Sequence, residues 1–265
     1  MSVVDMQLLK RLREATFAPL KDCRDALIDS AWDFDKAQDI LKEKWMSKAS
    51  KKSDRLTNEW LIKVIKKDWR VYALKLLCET DFVVKNDLFR ALFDEIMDKI
   101  WTITNDINNI SEVDKWLLDE MNLMVTEFIW KLGENTKIED IIVSSQNAYV
   151  YNHPGNKVAS IIYYTGEEEA AKELALQVAA MNPEYLSFDS VPQAYKDELL
   201  EKFKAEMVDS NKPANIVDQI IVGKLQKHLS DLVLLEQEYI RDNAKKIKDI
   251  MPSWFEVTGY TRLSI

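Results

Sequence analysis

Ten consecutive residues, Cys78-Glu79-Thr80-Asp81-Phe82-Val83-Val84-Lys85-Asn86-Asp87, hold the side chains best placed to do chemistry. An apolar strand pattern ends at Cys78 and a helical pattern begins at Asn86, so Asp81 and Phe82 fall where neither element absorbs them as core. A carboxylate beside a large aromatic at a strand-to-helix junction suits contact with another protein, because binding groups concentrate on loops carried by a rigid scaffold. The residues alone leave a second reading open, in which the ring folds back onto its own sheet and the carboxylate caps the next helix. Cys78 beside Glu79 raises a third, a thiol nucleophile and hence a cysteine-dependent enzyme. No histidine stands near it, and a buried small hydrophobe is the expectation for it and for Cys23. His153 falls in a turn and His228 within a helical stripe, where packing is expected of it.

Composition narrows the class. The 265 residues are 47% hydrophobic and 31% charged, a globular mixture long enough for one large domain or two to three small ones. No 18-residue apolar run suggests a membrane span, and the N-terminus lacks a signal-peptide core, so a cytoplasmic location is expected. A net charge of −9 argues against nucleic acid as a partner, since phosphate contacts need clustered Lys and Arg. The basic run from Lys44 to Arg55 reads as a solvated linker. Two cysteines make no disulfide framework and no Cys/His spacing resembles a zinc site, so neither a metal nor a cofactor is expected.

Periodicity supplies the elements that must position these groups. Residues 1 to about 44 read as three short helices, with Pro19 marking the first turn and Asp33 capping the third helix. Strands are expected at Trp60–Ile65 and at Val71–Cys78, the latter with Tyr72, Leu74, Leu76 and Cys78 on one face. Asn86 opens a helix striped by Leu88, Leu92, Ile96 and Ile100, and a further helix over about 113–131 uses Trp116, Leu117, Met121, Met124 and Phe128. A hairpin follows from Ala148–Tyr151 to Val158–Tyr164 across His153-Pro154-Gly155-Asn156, where Pro then Gly suits a type II turn. A helix over 167–181 completes a second strand–turn–strand–helix run, hinting at a duplicated α+β unit. Two helical stripes then run over about 191–240, the second through Ile216, Ile220, Leu225, Leu229 and Leu232, with a turn at Ser210-Asn211-Lys212-Pro213. Phe255–Leu263 is expected to return as a final strand of the second unit.

The segment Cys78-Glu79-Thr80-Asp81-Phe82-Val83 resembles the Cys-Glu-Thr-Asp-Phe-Val-Ala-Lys stretch of the elongation factor Ts family, guanine-nucleotide exchange factors of bacterial elongation factor Tu. Val84 stands where that family commonly has alanine. Arg13-Glu14-Ala15-Thr16 and Asp22-Cys23-Arg24-Asp25-Ala26-Leu27 are similar to its ubiquitin-associated-type N-terminal domain, with Phe17 where glycine is usual. Tyr151-Asn152-His153-Pro154-Gly155-Asn156-Lys157-Val158, Ala179-Ala180-Met181-Asn182-Pro183-Glu184-Tyr185-Leu186, Ile220-Ile221-Val222-Gly223-Lys224-Leu225 and Phe255-Glu256-Val257-Thr258-Gly259-Tyr260 match further family segments in order.

The resemblance implies an α+β protein in four parts. These are a three-helix ubiquitin-associated-like docking module and linker (1–54), a first α+β core subdomain (55–140), a second (141–190 and 240–265), and an inserted antiparallel helical hairpin that protrudes (191–239). It implies a non-enzyme that binds elongation factor Tu·GDP and promotes GDP release. Asp81 and Phe82, flanked by Thr80 and Val83, would displace the nucleotide. Tyr151, His153 and Gly155 would grip the partner from the second subdomain, and Arg13, Asp22 and Cys23 would serve the N-terminal docking. The helical hairpin fits either a homodimer contact or a brace, and the chain stops at Ile265 where longer members carry a C-terminal module. The alternative is a ribosome- or translation-associated binding protein that exchanges nothing.

Glycine is scarce, 5 in 265 against a usual share of about 7%, while tryptophan numbers 8. Trp32, Trp45, Trp60 and Trp69 stand where the family pattern has glycine. Helix ends and Asp-X turns often need φ > 0, which would cost a tryptophan roughly 1–2 kcal/mol. The expectation is that these codons are UGA read as glycine in the source organism; a gene with UGG there rules this out.

Overall fold

The computed structural model describes residues 5–16, 18–50, 52, 54–207 and 213–264, so Phe17 and the turn at 210–212 lie outside the described residues. The fold is α+β and divides into two units, one formed by 1–63 with 72–145, the other by 64–71 with 146–265.

The first unit begins with α1 (Met6–Thr16), α2 (Leu20–Asp29) and α3 (Phe34–Ser50). Asp5 opens α1 by accepting the N–H groups of Gln7 and Leu8, each at 3.0 Å, and Asp33 accepts the N–H of Lys36 at 3.1 Å to open α3. Leu9, Leu12, Cys23, Leu27, Ala37 and Leu41 close the small core, with Trp32 and Trp130 packed against it. Residues 44–50, expected as linker or frayed helix, continue α3.

The end of α2 is a glycine-type cap made without glycine. The Trp32 N–H donates to Leu27 O at 2.7 Å and the Ala31 N–H to Ile28 O at 3.1 Å, the paired bonds of a Schellman motif. Ala31 has φ 53° and Trp32 φ 67°, the left-handed region that a bulky L-residue enters only under strain. Of the four tryptophans singled out by the sequence, only Trp32 is left-handed. At the β-hairpin turn Asp68 has φ 57°, Trp60 lies in a strand and Trp45 in helix.

The first sheet has the order β1 (Glu59–Lys67), β2 (Arg70–Cys78), then a strand that the sequence reading did not anticipate, β3 (Thr136–Ser144). Its apolar run Ile141-Ile142-Val143 is short, and Asp140 breaks the alternation that Lys137-Ile138-Glu139 begins before it. The central strand β2 is buried along nearly its whole length on both faces, not only on the face of Tyr72, Leu74, Leu76 and Cys78. Between β2 and β3 come a short helix α4 (Asp81–Val84), then α5 (Asp87–Ile100) and α6 (Lys115–Leu132). The buried face of α5 is Phe89, Leu92, Phe93, Ile96, Met97 and Ile100, whereas Leu88, expected in the stripe, is 44% exposed. Trp116, also expected in the core, is 65% exposed in the first turn of α6.

In the second unit β4 (Ala148–Asn152) pairs antiparallel with β5 (Ala159–Thr165), which carries α7 (Glu168–Met181) after it. The turn is the expected type II: the Asn156 N–H donates to His153 O at 2.9 Å, with Pro154 second and Gly155 third at φ 92°. The pair α8 (Gln193–Ala205) and α9 (Ala214–Leu232) closes over Leu199, Phe203, Ile221 and Leu229, while Ile216 is exposed. Tyr195 OH meets His228 Nε2 at 3.4 Å and Lys224 pairs with Glu206 at 2.7 Å, which sets the two helices antiparallel. His228 is exposed at that junction, edge-on to Phe203. A small unanticipated hairpin, β6 (Glu238–Tyr239) and β7 (Asp242–Lys246), leads through α10 (Ile247–Ile250) to β8 (Glu256–Leu263). The last strand joins β5, giving the order β4-β5-β8. Among the described residues, no helix is long and apolar enough to cross a membrane.

Asn152 acts as a strand edge in miniature: its side-chain oxygen accepts the Val64 N–H and its amide donates to Val64 O, both at 2.8 Å. Replacing Asn152 with alanine leaves both half-buried backbone groups short of a partner and is expected to cost about 2 kcal/mol in urea denaturation. At Trp32, glycine and alanine remove the same indole packing, but only glycine accepts φ 67° without penalty. The Trp32→Gly variant is expected to be about 1 kcal/mol more stable than Trp32→Ala. Equal midpoints for the two would show that the cap holds no strain.

Candidate partner-binding surface

The segment that carries Asp81 and Phe82 is held from both sides. Ahead of it, Glu79 accepts the Asn135 N–H at 2.5 Å and pairs with Arg55 at 3.5 Å. Thr80 Oγ1 donates to Glu134 at 2.9 Å, so the loop leaving β2 is stitched to the loop entering β3. Behind it, the Asn86 side chain caps α5 by accepting the Leu88 N–H at 2.8 Å, and the Asn86 N–H donates to Val83 O at 2.9 Å. Between these fixings α4 makes a single turn whose one inward side chain is Val83, 5% exposed.

Phe82, next to that anchor, is 79% exposed. The ring therefore does not fold back onto its own sheet. Asp81 does not cap α5 either, because Asn86 occupies that position. Its carboxylate instead pairs with Lys85 at 2.7 Å in an exposed i,i+4 bridge. The Lys85 ammonium, hydrogen-bonded to it, holds the Asp81 carboxyl below the usual aspartate range, so the group stays ionised at neutral pH.

Tyr151 and His153 are brought together on the second unit, with the phenol oxygen 3.0 Å from Nδ1 and the rings edge to face. Gly155 follows in the turn, with open space where a Cβ would stand. Tyr151 and His153 border a cleft of about 420 Å³ that also reaches Ile240 and Arg241 on the β6–β7 turn. No sequence signal singled out those two, because they lie in a hairpin too short to leave a periodic trace.

The N-terminal trio is divided. Arg13 is exposed and Asp22 half-buried, but Cys23 is fully buried. Its thiol lies 3.8 Å from Thr16 Oγ1 and donates to Ala18 O at 3.6 Å, and burial raises its pKa. Cys23 thus supports the module from within, and any docking contact there must come from its exposed neighbours. Cys78 is likewise buried, donating to Thr80 O at 3.3 Å, which removes the geometry a thiol nucleophile needs. Among the described residues, no cluster of three or more His, Cys, Asp or Glu side chains is arranged to hold a metal ion.

Residues 79–265 match the family described as Elongation factor TS. The chain is 32% identical to Elongation factor Ts of Halothermothrix orenii over 99% of its own length and 92% of that protein. It is 33% identical to Elongation factor Ts of Aquifex aeolicus, covering 94% of this chain and 92% of that one. With Elongation factor Ts of Clostridium kluyveri the identity is 34%, over 97% and 89%. A family match that takes in the Asp81–Phe82 turn, the Tyr151–His153 pair and the last strand, together with relatives aligned over nearly the whole chain, shows that the protein belongs to the elongation factor Ts family.

Proposed function

We propose that this protein is a guanine-nucleotide exchange factor that binds elongation factor Tu·GDP in the cytoplasm and promotes GDP release during translation elongation. The observation that carries the reading is the exposure of Phe82 beside the buried Val83. A rigidly mounted ring in water has nothing to gain within its own chain and much to gain in a partner's apolar interior. Burying it there is worth about 1.5–3 kcal/mol.

The physics of displacement needs no covalent step. A GTPase holds GDP through Mg²⁺ and a phosphate-binding loop whose N–H groups and helix dipole attract the anion. A phenyl ring pushed between helices of that domain moves the supports of the metal. The Asp81 carboxylate, charged at neutral pH, adds repulsion toward the phosphates. Nucleotide and exchange factor then weaken each other by one and the same coupling free energy. Thr80 and Val83 hold the wedge, the N-terminal helices dock on the nucleotide domain through exposed groups such as Arg13 and Asp22, and Tyr151 and His153 grip the partner elsewhere.

Release of a fluorescent GDP from elongation factor Tu tests this. Asp81→Ala and Phe82→Ala are each expected to slow catalysed release about 10-fold or more, the loss expected for an interface hot spot. Their urea midpoints should stay within about 0.5 kcal/mol of the parent, because both side chains face solvent. Undiminished release by the double variant would overturn the wedge. Binding without accelerated release by the parent chain would favour a translation-associated binder.

A further inference from the structure

The loop over 133–136 is where the N-terminal helices and the Phe82 turn are fastened to each other. Helix α6 leads into it: Trp130 packs against the core of the three-helix module, and Gly133 ends the helix at φ 82°, its N–H donating to Ile129 O at 2.8 Å. The Gly133 carbonyl accepts the Lys52 ammonium at 2.7 Å. Asn135, 3% exposed, reaches two further segments: its side-chain amide donates to Arg55 O at 2.8 Å, and its backbone N–H to Glu79 at 2.5 Å. The Arg55 guanidinium pairs with that same Glu79 oxygen at 3.5 Å, and Glu134 accepts the Thr80 hydroxyl at 2.9 Å.

These contacts hold the linker that follows α3. Asp54, Arg55 and Leu56 are all exposed, so apolar burial does not order that stretch and the polar contacts do. Arg55 and Asn135 are 80 positions apart, and Asn135 and Glu79 are 56 apart, so neither meeting follows from local chain geometry. A buried amide at position 135 carries a desolvation cost that its partners offset. The consequence is mechanical. The two residues immediately before Asp81 and the linker leaving the three-helix module are bonded to one short stretch, Gly133-Glu134-Asn135.

On the reading of this protein as an exchange factor for elongation factor Tu, we infer that Glu134 and Asn135 are positioning residues for nucleotide displacement. They fix the Phe82 turn relative to the N-terminal helices, so that docking of those helices delivers the ring already aimed. A ring carried on a flexible linker would meet its target only as a tethered group at limited effective concentration. A ring mounted on the docking module's own frame arrives with its orientation settled before contact. Glu134 and Asn135 need not touch the partner, because they act through Thr80, Glu79 and the linker.

Release of a fluorescent GDP from purified elongation factor Tu, followed over a range of full-chain concentrations, gives a maximal rate and a half-saturating concentration. Asn135→Ala is expected to lower the maximal rate about 10-fold and to move the half-saturating concentration by no more than about 3-fold, as for an interaction expressed only in the transition state. A residue that served stability alone would lower the urea midpoint and leave the maximal rate of the folded chain unchanged. Glu134→Ala is expected to slow maximal release about 5-fold, whereas Glu134→Gln, which keeps an acceptor for the Thr80 hydroxyl, stays within about 2-fold of the parent. Should Asn135→Ala fail to fold, the Glu134 pair decides the matter, since that side chain is only half-buried. Parental maximal rates in Asn135→Ala and Glu134→Ala, beside a slow Phe82→Ala, would overturn the positioning role alone. So would a loss confined to the half-saturating concentration, or Glu134→Gln as slow as Glu134→Ala. A parent chain that leaves GDP release unaccelerated would overturn the exchange reading, and the positioning role with it.

Discussion

The site depends on the burial of one valine. A four-residue helix cannot hold itself together, since forming a first turn fixes several backbone angles for very few hydrogen bonds. In α4 that deficit is offset by Val83, whose side chain leaves water for about 1.5–3 kcal/mol. The helical turn then forces the residue before Val83 outward, and the exposure of Phe82 follows from geometry. Thr80 and Asn86 keep the turn from sliding by tying its two ends to Glu134 and to the start of α5. An aromatic side chain on a free loop would lose part of any binding energy in becoming ordered. Here the backbone that carries the ring is held before a partner arrives.

Charge is handled with the same economy. Asp81 and Lys85 lie one helical turn apart and both face water, so their attraction contributes little to stability. Its consequence is local: the carboxylate is kept ionised and oriented along the outer face of the turn. A partner that competes for Lys85 would release that carboxylate without disturbing anything buried. On the second unit the largely buried Glu173 pairs at 3.2 Å with the more exposed Arg241.

Much of this could be read from the sequence, for identifiable reasons. The three N-terminal helices, α7 and the β4–β5 hairpin declared themselves through apolar spacing and turn chemistry, with Asp33, Asn86 and Pro154-Gly155 acting as the expected punctuation. Strand β3 escaped because Asp140 interrupts its alternation just before Ile141. Leu88 and Trp116 were misplaced because both sit in first turns, where a helical stripe has no preceding turn to cover it. The residues around Asp81 and Phe82 stood out as unabsorbed by either neighbour, but their two readings differed only in where a ring points. Periodicity is silent on that. Arg241 was invisible for another reason: its neighbours Glu173 and Gln177 are more than sixty positions away, and only folding brings them together.

The left-handed tryptophan at the end of α2 gives the N-terminal module a divided allegiance. The indole shelters part of the small helical core, yet the backbone beneath it bends in a sense that costs such a residue dearly. Relief and shelter cannot both be had at position 32 by any single replacement. A module built this way sits close to the edge of independent folding.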